Sequence, residues 1–156
     1  MKRKCNKIIL AAILVFAVGI GVLIAVLTAP ARTNKRILAN LTVDFSNVIS
    51  QQSQEKIAEA KSVYGKLNGN GNGIAYFGAV LVKKSAVPDI DALLAELDAE
   101  FEIVGVVEQK GQNVQSTYLQ HRSLSYDTPV EDGQFITIYF YNSGHPDSNP
   151  NDPAGH

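Results

Sequence analysis

Residues 8–27 are an unbroken run of 20 apolar residues with no charge and no strongly polar side chain. At 1.5 Å rise per residue such a run makes a helix of about 30 Å, the thickness of the hydrocarbon core of a bilayer. Only a helix satisfies its own backbone in lipid, so the segment is expected to be helical. A cleaved signal peptide is the competing reading. The basic start fits it, and Ala29-Pro30-Ala31 resembles a small-x-small cleavage site. A signal h-region is about 7 to 15 residues long, and Pro30 would adjoin the scissile bond, so an uncleaved signal anchor is favoured.

The charges are segregated around this block. Lys2, Arg3, Lys4 and Lys7 precede it; Arg32, Lys35 and Arg36 follow it; the first carboxylate is Asp44. The cationic lead places the N-terminus in the cytoplasm and the bulk of the chain outside. Cys5, the single cysteine, falls on the cytoplasmic side, so no disulfide staples the outer domain. Ala17, Gly21 and Ala25 recur every four residues on one face of the membrane helix, a spacing that lets two helices approach closely and suggests a homodimer.

Residues 37–156 carry 7 basic and 15 acidic residues, a net charge of −8. An acidic domain gains nothing from phosphate counterion release, so nucleic acid is not an expected partner. The expected organisation is a cytoplasmic tail (1–7), a transmembrane anchor (8–27), a juxtamembrane linker (28–43) in which Pro30 breaks or kinks the helix, an extracytoplasmic domain (44–142) and a disordered tail (143–156). That tail holds three Pro, two Gly, two Asn and two Asp in 14 residues, too little apolar material for a core.

Within the domain, Asp44 can cap a helix whose apolar positions run Phe45, Val48, Ile49, Ile57, Ala60, Tyr64 and Leu67. The Asn-Gly run over 68–73 reads as a flexible connector. Residues 74–82 are apolar on both faces, as in a central strand. Pro88 and Asp89 open a second helix with Ile90, Leu93, Leu94 and Leu97 on one face. Residues 101–109, 114–126 and 134–142 read as three more strands, the last alternating Ile136, Ile138, Phe140 against Phe135, Thr137, Tyr139, Tyr141. The expected fold is α+β: an N-terminal transmembrane helix, then a two-layer domain of element order αβαβββ. Two helices cover one face of a four-stranded mixed sheet whose first two strands are parallel.

Catalytic constellations are not legible. His121 would have to work with Ser116, Ser123 or Ser125, neighbours on the same expected strand, whereas a triad converges from separate elements. His145, Asp147, Asp152 and His156 sit in the tail, where a metal site would first have to be ordered. No catalytic residue, metal or cofactor is assigned. What remains is a polar, aromatic sheet face expected to be open, bearing Tyr118, Arg122, Tyr139 and Tyr141. Planar rings and a guanidinium suit an interface. The function read from the sequence is therefore a non-enzymatic, single-pass membrane protein whose outer domain binds a protein or small ligand; the alternative is a tethered or secreted hydrolase.

Overall fold

The computed structural model describes residues 2–67, 73–120 and 122–144, with side chains from Ile13 onward. The chain divides into two compact units, Met1–Thr33 and Asn34–His156. A single helix, α1 (Lys2–Gln52), contributes to both.

In the first unit the helix is long and apolar enough to cross a membrane, a property shared by anchors and signal sequences. Eleven large apolar side chains between Ile13 and Leu27 are 43–72% exposed. The expected break at Pro30 does not occur: α1 continues through it. Proline removes one backbone donor, which a long helix tolerates when the turns on either side are held. Just before it, the Thr28 hydroxyl donates to the carbonyl of Ile24 at 2.8 Å.

The second unit begins inside the helix. Leu38, Phe45, Val48 and Ile49 are buried at helical spacing. Asn34 is only 2% exposed and accepts a 2.8 Å hydrogen bond from the Tyr76 hydroxyl, so even the stretch read as linker carries a core contact. The helix ends at Gln52, not near Lys66 as its apolar spacing suggests. Residues expected to continue it form β1 (Glu59–Gly65), which pairs antiparallel with β2 (Ala75–Lys83) from Glu59↔Leu81 to Gly65↔Ala75. Glu, Ala and Lys favour helix locally, but the unpaired edge of β2 offers seven residues of ladder, and pairing overrides propensity. β1 and β2 thus form an antiparallel pair consecutive in sequence, and the Asn-Gly run expected as a flexible connector lies, up to residue 72, outside the described residues.

After β2 a 3₁₀ turn (Lys84–Ala86) leads to α2 (Ile90–Asp98), where the Asp89 carboxylate caps the Ala92 N–H at 2.9 Å. β3 (Ile103–Glu108) and β4 (Phe135–Ser143) follow. The sheet order is β1-β2-β4-β3 and every neighbouring pair is antiparallel, so the sheet is not mixed. β2 and β3, joined through α2, do run in the same direction. They are not neighbours, because β4 inserts between them and satisfies both ladders.

Residues 114–126, expected as a strand, make one isolated bridge, Asn113↔Ser125, and a 3₁₀ turn (Thr117–Leu119). Their buried positions, Val114, Leu119 and Tyr126, do not alternate, so no ladder face is available to them. The observed order is therefore α1, β1, β2, α2, β3, β4.

Two apolar clusters form on alternate positions of the strands. One gathers Phe45, Val48 and Ile49 of α1, Leu93 and Leu97 of α2, and Val80, Val82, Ile136, Ile138 and Phe140 of the sheet. At its centre Phe45 packs edge-on against Phe101 and Phe140, with ring centroids 5.1 and 4.9 Å away. Phe140 lies directly over Gly78, its partner in the ladder, where any side chain would collide with the ring. Ile138 is fully buried beside it. Ile138→Ala should cost about 2 to 5 kcal/mol in a denaturant titration. A cost below about 1 kcal/mol would mean that the site collapses around the lost atoms or is not packed as described.

Candidate functional site

The second cluster occupies the sheet face expected to be open. Phe77, Ala79 and Leu81 of β2 and Tyr141 of β4 are covered by Val114, Leu119 and Tyr126 from the segment between β3 and β4. Tyr141 is only 5% exposed. The premise of an open face is therefore corrected: a 26-residue excursion (109–134) folds back over it, with no α-helix or strand among its described residues to announce the cover.

Two polar devices hold this cover. The first is buried. The Gln109 side-chain amide donates to the carbonyls of Gly111 and Asn113, both at 2.8 Å, so its Oε1 is left to accept. The Thr137 hydroxyl donates to that oxygen at 2.7 Å. A hydroxyl has one proton, so the 3.0 Å contact between Thr137 and Tyr126 is a donation from the tyrosine. Burial drives the Tyr126 phenol well above its ordinary pKa, keeping it protonated as that role requires.

The second lies at the β1 edge. The Glu59 carboxylate accepts from the backbone N–H groups of Asp127 and Thr128, both at 2.9 Å. Lys61 bridges Glu59 at 2.8 Å and Asp127 at 2.7 Å. Desolvation alone would raise the Glu59 pKa; the bonds from Lys61, Thr128 and Asp127 outweigh it and hold the group at about 2.

The sequence singled out four residues, and the structure brings three of them together. Tyr118, on the 3₁₀ turn, stacks on Tyr141 at 4.6 Å and approaches Tyr139 at 6.4 Å. Tyr139 stacks on Phe77 at 5.7 Å and covers Gly105, its ladder partner on β3. Tyr118 and Tyr139 remain half-buried, so part of each ring reaches solvent. Burial raises the phenol pKa of both Tyr139 and Tyr141. These rings offer stacking area, and burial keeps the hydroxyls of Tyr139 and Tyr141 neutral.

Arg122 is placed elsewhere. A Cβ added to Gly65 would stand 2.6 Å from Arg122 Nη2, so the guanidinium lies over the end of β1. There it lines a groove of about 460 Å³ with Lys35, Leu38, Ser62, Val63 and Tyr64. Gly65 is not legible as a site residue because the pattern reads residues 59–65 as helix, and Lys35 is not because it falls in the stretch read as linker. The alternation of Glu59, Lys61 and Val63 just before an Asn-Gly run was the available signal.

His121 and the tail residues His145, Asp147, Asp152 and His156 lie outside the described residues. The serines considered with His121 are accounted for in part: Ser116 Oγ caps the 3₁₀ turn by accepting from the Tyr118 N–H at 3.2 Å, and Ser125 sits in the isolated bridge. Among the described residues no three His, Cys, Asp or Glu side chains gather as a metal site. Compared with family models, curated proteins and solved structures, the chain matches none.

Glu59 makes an acid-stability prediction. Its folded pKa of about 2 lies below its ordinary value of 4.5, so its contribution is complete above pH 4.5 and is lost as pH falls toward 2. Urea titrations should show wild type more stable than Glu59→Gln near neutrality, with the gap closing in that window. A gap that stays constant down to pH 2 would show that the carboxylate charge is not what pins the excursion.

Proposed function

We propose that this chain is a non-enzymatic, single-pass membrane protein. Residues 8–27 cross the bilayer with the N-terminus in the cytoplasm. The α+β domain, with its two helices layered on one sheet face, binds a protein or small ligand outside. The observation that carries this reading is the sleeve of apolar side chains from Ile13 to Leu27, exposed along the N-terminal part of α1. Such a surface is far larger than a soluble monomer leaves in water. The four cations before the span support the orientation.

Binding is assigned to the half-exposed rings of Tyr118 and Tyr139, supported from below by buried Tyr141, and to Arg122 as a separate polar anchor. Rings held by neighbours lose little entropy when a partner covers them. The face of Ala17, Gly21 and Ala25 is where two copies of the membrane helix meet in this reading; nothing lies within 4 Å of a Cβ placed on Gly21.

Protease added to intact cells should remove the C-terminal domain and leave a membrane-bound N-terminal fragment. A soluble mature chain beginning at Arg32 would overturn the anchor. With the partner in hand, Tyr118→Ala with Tyr139→Ala should lower its recovery while the circular dichroism stays native. Undiminished recovery would remove the rings from the site.

A further inference from the structure

β1 is one of the two edge strands of an open sheet. An edge strand presents backbone N–H and C=O groups to any chain that lies beside it, and natural edges are usually guarded by a charged side chain, a proline or a bulge. The lysine on β1 does not guard its C-terminal half: Lys61 is occupied by Glu59 and Asp127. Beyond it, Ser62, Val63 and Tyr64 line the open groove. Among the described residues no backbone group other than those of β2 bonds the main chain of residues 59–65.

The walls of the groove carry charge on both sides of the strand. Ser62 and Tyr64 project toward α1, where Tyr64 joins the Leu38 cluster and Lys35 stands one turn before Leu38. Val63 projects to the opposite side and joins the other cluster. Gly65 shares that second side by alternation, and its missing side chain is the space Arg122 fills. With φ at +145° the position disfavours any other residue. Lys35 and Arg122 are both exposed, and neither side chain has a hydrogen-bond or ion-pair partner among the described residues.

We infer that the groove along residues 62–65 receives an extended acidic segment of a partner protein, which adds to β1 as a fifth strand. Main-chain bonds to the edge supply affinity and side-chain contacts supply selection, as in other strand additions. Successive side chains of an added strand point to opposite faces, so two adjacent carboxylates reach Lys35 and Arg122 at once. The guanidinium takes its carboxylate as a planar fork. An apolar neighbour meets Leu38 and Tyr64. The net charge of −8 over residues 37–156 opposes approach at long range, but it is screened beyond about 10 Å at 0.1 M salt, and the two cations act at contact.

This inference rests on the reading of the domain as a binding module, but not on the topology of the anchor. The test uses the full chain in nanodiscs and a blocked heptapeptide of Val and Thr carrying two adjacent Glu. Hydrogen exchange should show protection at the amides of residues 62–65 on peptide addition. A peptide with Lys in place of Glu, and one of unchanged charge with Pro at its centre, should fail to protect them. Arg122→Glu should weaken binding about tenfold or more, whereas Lys110→Glu, the same charge change on an exposed turn, should leave it within about twofold. Lys35→Gln gives a second, milder check at the other wall. Equal binding of the Lys peptide, equal binding of the Pro peptide, protection at β3 instead, or displacement of the peptide by inorganic phosphate would each overturn the proposal. A failed protease experiment with intact peptide binding would remove the anchor reading alone, and the reverse outcome would remove this groove alone.

Discussion

β4 lies between β2 and β3, and each of its buried side chains belongs to one of two cores. Ile136, Ile138 and Phe140 serve the core built with α1 and α2; Thr137 and Tyr141 face the excursion between β3 and β4. In a domain without disulfides this shared strand carries the stability that either core alone would struggle to provide, since a single small core only narrowly outweighs chain entropy. It also explains why the last strand to be made is central. The ladders of β2 and β3 stay incomplete until it arrives.

The two faces are closed by different physics. Toward the helices the contact is apolar and dense, with three phenylalanine rings in mutual contact. Toward the excursion the apolar set is smaller, and specificity comes from a directed chain of hydrogen bonds through Tyr126, Thr137 and Gln109 together with the carboxylate grip of Glu59. No buried side-chain polar atom among the described residues lacks a partner. That completeness is what allows a segment without regular structure to cover a sheet.

Much of the fold was legible where one periodicity ruled a segment. The membrane-length helix, the both-faces-apolar β2, α2 opening at Pro88 and Asp89, and the alternation of β4 were all read correctly in kind. The failures share a cause. Residues 59–65 carry a helix-compatible pattern, and only the free edge of β2, a fact about tertiary structure, makes them a strand. Residues 114–126 have the polarity of a surface strand, yet their apolar members contact the sheet through turns. The site followed the same division: Tyr139 and Tyr141 lie on a strand whose alternation is legible, Tyr118 reaches them from a turn that the pattern reads as a strand, and the position of Arg122 depends on the misread β1. Lys35, which lines the same groove, lay in a stretch read as linker, where the buried Asn34 gave no periodic signal.

The two aromatic–glycine pairs have a consequence for how the sheet finds its alignment. Gly78 receives Phe140 from β4 on one face, and Gly105 receives Tyr139 from the same strand on the other. A slip of one residue would move both rings to the wrong face and set them against neighbours with side chains; a slip of two would keep the faces but lose both hollows. Adjacent residues of β4 thus act as a two-pin key whose sockets lie on different strands. Either pin alone would tolerate an error in the other ladder. Together they penalise misaligned sheets, so β4 pairs with both neighbours in one register.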